Sequence, residues 1–460
     1  MKIVLFGLVA LAVLALLALV HRWLWTRLVR DTTAPGGLPR RIGTVLAIAL
    51  PLLSVAALTA GHAGAPFRLQ QAVAWPGFLW LAVLLYLTLT MLVAEPVRAL
   101  LLRRPAQRIP SGEDGGSARG GRSPGEFGVR ARSARAGSAA MSGAMSGAEP
   151  HHAAEPGEAV QRDGAGWGTA PRATGPGPGD PAAAPELDRR RFVARAIGGA
   201  AAAVAVGTVA NGTHGVLRGP RVKRVQVPLA KLPRAAHGFR IAVVSDVHLS
   251  PVLGRAHTQR IVDTVNRTQC DLIAIVGDLV DGSVHDLGPA AEPLRRLSAR
   301  HGTYFVTGNH EYFSGAGQWV DHVRELGLIP LENARRPLPY FDLAGVNDIA
   351  GESEGHGPDF RAALGDRDRS RSAVLLAHQP VVIHEAVRHG VDLQLSGHTH
   401  GGQLWPGNYL AELANPTVAG LERYGDTQLY VSRGAGAWGP PVRVGAPSDI
   451  TVVELASYQA

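Results

Sequence analysis

The stretch LQLSGHTHGG, residues 393–402, places two histidines directly after a short apolar run. The run VDLQLS is typical of a strand, and the glycine pair marks its end. Residues two apart in an extended chain point to the same side, so His398 and His400 could face one point together. The flanking glycines would let the backbone come close to a bound group. Surface histidines at a strand end would give the same pattern, so the other segments must decide.

Polar side chains follow four other apolar runs in the second half of the chain. IAVVSDVHLS carries Asp246 and His248, DLIAIVGDLV carries Asp278, YFVTGNHEY carries Asn309 and His310, and AVLLAH ends in His378. Ligand sites of α/β sheets lie beyond the carboxyl ends of strands. Hard carboxylate and amide oxygens with imidazoles suit Mn, Fe or Zn. The single cysteine, Cys270, excludes an intrachain disulfide framework and a thiolate metal cluster.

Strand-like and helix-like segments alternate from about Arg221 onward. The strand candidates are RIAVVSDV, DLIAIVGDLV, GTYFVTGN, FDLAGV, AVLLAH and VDLQLSG, and helix candidates such as HTQRIVDTVNRT and GQWVDHVREL lie between them. This order predicts an α/β sandwich with buried sheets.

The blocks D-x-H, GDLVDG, GNHE, a lone histidine and GHTH occur here in an order that resembles the calcineurin-like metallophosphoesterases. The resemblance covers about residues 240–455, nearly the whole globular part. The segment SRGAGAWGPPVRVGAPSDI also resembles the tail of the membrane-associated bacterial branch of that family. The resemblance implies a four-layer α/β/β/α sandwich and a metal-dependent phosphoric ester hydrolase.

The same resemblance implies two divalent metal ions, with Mn as the first choice and Fe or Zn as alternatives. One ion would be held by Asp246, His248, Asp278 and His400. The other would be held by Asp278, Asn309, His378 and His398, so that Asp278 bridges the pair. His310 would stand near the substrate and assist the leaving oxygen, and Asn309 would fix that geometry through its neighbour.

Three uncharged apolar runs precede the globular part. They are Ile3–Val20, Ile42–Gly61 and Ala72–Ala94, and each is long enough to cross a hydrocarbon core as a helix of about 20 residues. Tryptophans lie at or near the ends of the first and third runs, as expected at a membrane interface. We therefore expect a membrane region with three transmembrane helices over residues 1–104.

The middle of the chain changes composition twice. Residues 105–188 are rich in Ala, Gly, Pro and Ser and predict a disordered linker, because few large apolar side chains are available for burial. Residues 189–212 predict either a fourth transmembrane helix or a segment that resembles a twin-arginine export signal, with Arg189, Arg190 and Phe192 at the matching places. Residues 221–460 would form the metallophosphoesterase domain.

The formal net charge of +9 lies largely in arginines beside the apolar runs and in the linker. This distribution indicates membrane topology, and no aromatic-interleaved basic patch points to a nucleic-acid partner. Arginines follow the first and third runs and precede the fourth. The positive-inside rule then predicts a multi-pass cell-membrane protein with an extracytoplasmic catalytic domain. If the fourth run does not cross, the domain is cytoplasmic and faces the inner leaflet.

These features together predict a membrane-anchored dinuclear-metal phosphoesterase that hydrolyses a phosphodiester, with a lipid-linked or nucleotide-linked substrate. A phosphomonoesterase or a protein-phosphatase-like hydrolase is the alternative within the enzyme class. A non-catalytic metal-binding membrane protein is the alternative outside it, and the complete set of predicted ligands argues against that reading.

Overall fold

Two six-stranded sheets form the centre of the second half of the chain. Their strands are β1 (Arg221–Leu229), β2 (Phe239–Val244), β3 (Leu272–Val276), β4 (Thr303–Val306), β5 (Ile329–Pro330), β6 (Ala334–Pro337), β7 (Asp342–Gly345), β8 (Ala373–Leu376), β9 (Leu393–Ser396), β10 (Gly420–Tyr424), β11 (Thr427–Val431) and β12 (Asp449–Ser457). The first sheet has the order β1-β12-β2-β3-β4-β5 and the second the order β10-β11-β9-β8-β7-β6. This computed structural model describes residues 2–103 and 184–458.

The two sheets pack face to face, and helices cover their outer faces. Val243 and Ala274 of the first sheet share one buried cluster with Leu343 and Leu395 of the second. The helices of this part are α5 (Arg255–Thr268), α6 (Val284–Ala291), α7 (Asn309–Ser314), α8 (Ala316–Glu325), α9 (Phe360–Leu364), α10 (Ile383–Arg388) and α11 (Gly407–Ala414). Helices α5, α6 and α8 bury their apolar faces on the first sheet, while α9 and α10 do so on the second. The predicted four-layer α/β/β/α arrangement is confirmed, and residues 221–457 are called the sandwich below.

All six strand candidates form strands, each somewhat shorter than its candidate segment. The segments that the pattern did not single out are β1, β5, β6 and β10 to β12. β1 has the sequence RVKRVQVPL, is mostly exposed or partly buried apart from Val227 and Leu229, and pairs only with β12. Its extended conformation depends on a partner far along the chain, which a local pattern does not contain.

Strand direction brings the polar ends together. β2, β3 and β4 run parallel in the first sheet, and β7, β8 and β9 run parallel in the second. Parallel neighbours present their carboxyl ends at one edge of a sheet. The segments that follow β2, β3, β4, β8 and β9 therefore meet at one edge of the sandwich.

Four long apolar helices accompany the sandwich. They are α1 (Lys2–Trp25), α2 (Leu38–Thr59), α3 (Phe67–Arg103) and α4 (Ala184–Leu217). By length and composition each can cross a membrane, including the fourth over Arg189–Leu217. α2 and α3 pack closely where Gly77 has no side chain, because a Cβ there would lie 2.4 Å from the Leu53 carbonyl oxygen. The predicted linker lies outside the described residues except for 184–188, which form the start of α4.

One buried histidine lies apart from the polar edge. His257 of α5 is 1% exposed, and neither ring nitrogen has a hydrogen-bond partner among the described residues. Burial, with smaller contributions from the charges of Arg260 and Arg443, lowers the pKa of His257 to about 3. The unfolded chain would bind this proton near pH 6.5, so it binds more protons than the folded chain between these values.

We expect this histidine to make the protein acid-sensitive. The buried neutral histidine does not change the free energy of unfolding above about pH 6.5. As the pH falls from 6.5 towards 3 it lowers this free energy, by about 2 kcal/mol at pH 5. Thermal unfolding of the full chain in detergent at pH 7 and pH 5 measures this. His257→Leu should reduce the loss of stability between the two pH values, and substitution of the exposed His285 should not. An equal loss in the parent and in His257→Leu would contradict the assignment.

Candidate metal centre

The seven predicted ligands lie together at the polar edge of the sandwich. Three groups of three side chains in the described part of the chain have ligand atoms within 4.8 Å of one another, and two of these groups consist entirely of predicted ligands. The first group is Asp246, His248 and His400, and the second is Asp278, His378 and His398. Asn309 joins the second group, because its Oδ1 lies 3.0 Å from Nδ1 of His398. The seven side chains are therefore close enough to act together, and their division between two ions stays a prediction.

Short distances connect the members of each group. In the first, Nε2 of His400 lies 3.3 Å from Oδ1 of Asp246 and 3.0 Å from Nε2 of His248. In the second, Nε2 of His378 lies 3.1 Å from Oδ2 of Asp278. The same Asp278 oxygen is 3.7 Å from Nε2 of His248. Asp278 thus reaches both groups, which is the arrangement required of a bridging ligand.

The backbone at these residues differs from the extended geometry that the sequence suggested. His398 and His400 have positive φ angles of 74° and 53°, as do Asp246, His248 and Asp278. Five of the eight non-glycine residues with positive φ in the described chain are therefore predicted ligands. The turn directs His398 to the second group and His400 to the first, so the two histidines do not face one point. Left-handed backbone at non-glycine residues costs about 1–3 kcal/mol each and clusters at functional sites.

Glycines permit the close approach of the loops. A Cβ on Gly397 would lie 2.3 Å from Oδ2 of Asp246, and one on Gly308 would lie 2.3 Å from Oδ1 of Asp278. No side chain fits at either position without displacing a predicted ligand. Gly397 and Gly308 therefore permit a close approach of the backbone to predicted ligands, while the approach of Gly397 to a bound group stays a prediction.

The donor set fits metal ions better than it fits internal hydrogen bonding. Nε2 of His378 is buried and lacks a hydrogen-bond partner in the described structure, although a carboxylate oxygen lies 3.1 Å away. Two imidazole nitrogens, from His248 and His400, face each other at 3.0 Å. Buried polar atoms are normally paired, so the unpaired Nε2 of His378 beside a carboxylate fits a metal ligand. Imidazole nitrogens and carboxylate oxygens in this arrangement fit two divalent ions.

The electrostatics of the centre favour positive charge. Burial alone would lower the pKa of His248, but the neighbouring Asp281, Asp278 and Asp246 raise it to about 9. Burial would raise the pKa of Asp278, but the positive charge of His378 holds it well below its usual range. Burial and the charge of His378 lower the pKa of His398 to about 4. The carboxylates therefore stabilise a cation at the centre, and His398 offers a neutral nitrogen for ligation.

Two acidic residues in the quoted motifs support the ligands, although the sequence interpretation gave them no role. Asp281 in GDLVDG accepts from Nδ1 of both His248 and His310, each at 2.8 Å. Glu311 in GNHE is fully buried and accepts from the backbone nitrogens of Gly308, Asp278 and Leu279. Their position inside the two motifs was the sequence signal that could have indicated a supporting role. They orient the loops that carry the ligands.

Arg443 is a third supporting residue, and no local pattern marks it. Its side chain is buried and donates to the backbone oxygen of His400 at 3.0 Å, with a second terminal nitrogen 3.0 Å from Nδ1 of the same residue. It also donates to the carbonyl oxygen of Gly436. Arg443 therefore fixes the position of His400 from a segment near the end of the chain.

His310 is placed differently from the ligands. Its side chain is 15% exposed, and Nε2 lies 4.0 Å from Oδ2 of Asp278. Asp281 holds the other ring nitrogen, while Phe313 and Trp438 flank the ring with centroids 5.5 and 5.7 Å away. Nε2 of His310 accordingly lies beside the two groups on a partly exposed side chain, a position that a proton-transferring residue could use.

Comparisons with known proteins agree with this geometry. A family profile described as calcineurin-like phosphoesterase matches residues 239–402. A transmembrane protein with metallophosphoesterase domain from Danio rerio is 40% identical over 250 residues, which are 51% of this chain and 57% of that protein. An uncharacterized metallophosphoesterase from Aquifex aeolicus is 33% identical over 51% of this chain and 91% of that protein.

The similarity covers only part of some relatives and extends across animals and bacteria. The chain spans less than two thirds of the length of the Danio rerio protein, and its relatives include both animal and bacterial proteins. The similarity therefore does not single out a bacterial branch. A dimetal phosphatase from Danio rerio, of known structure, is 13% identical with a TM-score of 0.34 and covers 48% of this chain and 93% of that one. By its sequence match to the Aquifex aeolicus protein, the chain belongs to the calcineurin-like metallophosphoesterase family.

Proposed function

We propose that this protein is a membrane-anchored phosphodiesterase that uses two divalent metal ions. The observation that carries the proposal is the pair of ligand groups connected by Asp278. The first ion would be held by Asp246, His248, Asp278 and His400, and the second by Asp278, Asn309, His378 and His398. When bound, two such ions neutralise phosphoryl charge and generate a nucleophile from water near neutral pH.

The residues of the chain supply the remaining steps. Nδ1 of His310 is held by Asp281, which leaves Nε2 beside the two groups to give a proton to the leaving oxygen. The backbone nitrogen of His310 donates to Oδ1 of Asp278 at 2.9 Å, which ties this histidine to the bridging carboxylate. Asn309 precedes it and fixes its position relative to the second group.

A diester is favoured over a monoester because His310, the histidine of GNHE, resembles the residue that assists the leaving group in the phosphodiesterase branch of the family. The substrate class would be a lipid-linked or nucleotide-linked phosphoester, and Mn²⁺ is the first choice of metal, with Fe or Zn as alternatives. Phosphomonoester or protein-phosphatase-like hydrolysis is the second candidate. A purely metal-binding role is disfavoured, because it would leave Nε2 of His310 without a function beside the two groups.

Metal analysis and two generic substrates test the proposal. We expect the full chain in detergent to bind two divalent ions, to lose activity with a chelator and to regain it with Mn²⁺. It should hydrolyse bis-p-nitrophenyl phosphate faster than p-nitrophenyl phosphate. An active preparation with no more than one ion per chain would exclude the two-metal proposal, and the reverse substrate preference would favour the monoesterase.

We further propose that the sandwich lies outside the cytoplasm. Basic residues near the ends of three apolar helices meet at one place: Arg27 and Arg98 both pair with Asp31 and Glu95. Arg195 of α4 donates to the Thr32 carbonyl oxygen at 2.9 Å in the same region. This convergence supports a common cytoplasmic side for these arginines. The sandwich follows the other end of α4, so one crossing by α4 would carry it to the opposite side.

Protease treatment of cells stripped of their wall tests the orientation. We expect the sandwich to be digested while the membrane is intact. Protection that persists until the membrane is lysed would rule out the external placement. In that case the domain would face the inner leaflet.

A further inference from the structure

An exposed apolar surface lies next to the metal centre. It consists of Trp405, Tyr409, Leu410 and Leu413, which are 50%, 58%, 71% and 85% exposed and are called the apolar platform below. No residue of α11 is buried. Tyr409 and Leu413 are one helical turn apart on the same face, whereas the polar Asn408 and Glu412 share another face. Large apolar side chains gathered in this way mark an interaction surface.

The platform is attached rigidly to the loop that carries the predicted ligands. A Cβ on Gly402 would lie 2.2 Å from the backbone nitrogen of Asn408, so the start of α11 packs directly on the turn after His400. The backbone nitrogen of Gly407 also donates to the Leu404 carbonyl oxygen at 2.7 Å. Whatever contacts the platform therefore has a fixed position relative to the metal centre.

Contacts with the membrane helices show what surrounds the platform. The Tyr86 hydroxyl donates to the carbonyl oxygen of Trp405 at 3.0 Å, and Tyr86 lies inside the apolar run of α3. Val442 is fully buried in a cluster with Ala82, Tyr86 and Ala205 of α3 and α4, and Leu404 packs against that cluster. With the apolar run of α3 across the bilayer, a loop that contacts it would lie at the depth of the bilayer. Its exposed apolar neighbours then face lipid rather than water.

We propose that the apolar platform inserts into the bilayer beside α3 and α4, and that the metal centre hydrolyses phosphoesters anchored in that same bilayer. The choice of substrate rests on the phosphodiesterase function proposed above. The occupant is the lipid bilayer because the platform is continuous with the surface of the membrane helices. A water-soluble protein partner would have to displace lipid to reach it.

The surroundings of the centre agree with a lipid-anchored phosphoester. Phe313 and Trp438, which flank His310, are 71% and 57% exposed. Gln403, two residues before Trp405, donates to the Trp438 carbonyl oxygen at 2.8 Å and accepts from its backbone nitrogen at 3.0 Å. Gln403 therefore connects the segment of the platform to Trp438, whose ring lies beside His310. Acyl chains can remain in lipid while the phosphate reaches the centre.

A basic cavity at the end of α4 provides a contact for headgroups. It has a volume of about 330 Å³ and is lined by His214, Arg218 and Arg221, and by Arg443. Arg218 and Arg221 are exposed and follow the apolar part of α4. Cationic side chains at this level attract anionic headgroups. The cavity and the platform would hold the sandwich against the membrane surface from two sides.

Depth-dependent quenching tests insertion without reference to activity. Leu413→Cys and Val387→Cys, each labelled with an environment-sensitive fluorophore, are compared in the full chain in phosphatidylcholine nanodiscs that contain acyl-chain nitroxide lipid. Val387 is 37% exposed on α10, which precedes β9 and lies away from the carboxyl ends of the strands. Cys270 is buried and leaves the introduced thiol as the accessible one. We expect strong quenching at position 413 and little at 387; similar quenching at both positions would overturn the insertion.

A substrate comparison tests the second half of the proposal. Leu410→Ser/Leu413→Ser should lower hydrolysis of a dioleoylglycerol p-nitrophenyl phosphate diester embedded in nanodiscs by about ten-fold, because two apolar anchors are lost. Hydrolysis of soluble bis-p-nitrophenyl phosphate should be unchanged, and Val387→Ser should affect neither substrate. Equal effects of the double substitution on both substrates, or an effect on neither, would overturn the proposal that the substrate is anchored in the bilayer. If the parent protein hydrolyses neither diester, the proposed function itself fails, and the quenching result still decides insertion.

Discussion

Replacing Asp278 with alanine is expected to abolish hydrolysis and to release metal together with it. Oδ2 of Asp278 is 3.1 Å from Nε2 of His378 and 3.7 Å from Nε2 of His248, so this carboxylate connects the two ligand groups. Its removal would take one ligand from each proposed ion and leave the imidazoles without a shared counter-charge. We expect a fall in kcat/KM of about 10³-fold or more, which corresponds to about 4 kcal/mol.

Metal content and activity must be measured on the same preparation. Asp278→Asn keeps the size of the side chain and retains an oxygen for the backbone nitrogen of His310, so it separates ligand loss from misfolding. Asp263→Ala, at an exposed position on α5, is the control that should change neither quantity. Two ions per chain in a folded Asp278→Ala variant would contradict the bridging role.

The second large effect is expected at His310. Changing it to alanine should leave both metal ions in place and lower kcat by about 10²–10⁴-fold, the range for loss of a general acid. The reason is geometric: Oδ1 of Asp281 lies 2.8 Å from Nδ1 of His310, and Nε2 lies beside the bridging carboxylate, 4.0 Å from Oδ2 of Asp278. His310 is not needed to complete either group of ligands.

Leaving-group dependence distinguishes a proton donor from a structural residue. The defect of His310→Ala should be larger for diphenyl phosphate than for bis-p-nitrophenyl phosphate, because p-nitrophenolate departs without protonation. Metal analysis of the variant provides the control, since its content should equal that of the parent. Parent-like turnover of diphenyl phosphate by His310→Ala would show that the acid role is wrong.

Much of the fold and of the candidate site could be predicted from local sequence. Apolar runs such as DLIAIV fix buried strands, and the residue types that follow them are metal-binding oxygens and imidazoles. The order of these blocks resembles one family, and the relative from Aquifex aeolicus confirms membership of it. The long apolar runs likewise predicted membrane helices, because a span of about 20 apolar residues is a local property. Strands such as β1 were not predicted, because they depend on a distant partner.

The tertiary structure decided which side chains meet and what surrounds them. His398 and His400 belong to different groups because each has a left-handed backbone, and their spacing in the sequence does not contain that information. Arg443 supports His400 from a distant segment, and its role exists only after the chain has folded. The exposure of Leu410 and Leu413 beside the membrane helices is likewise a result of packing. Sequence by itself determined the kinds of atoms available for chemistry, whereas long-range packing decided their neighbours, because burial and hydrogen bonding depend on residues that are distant along the chain.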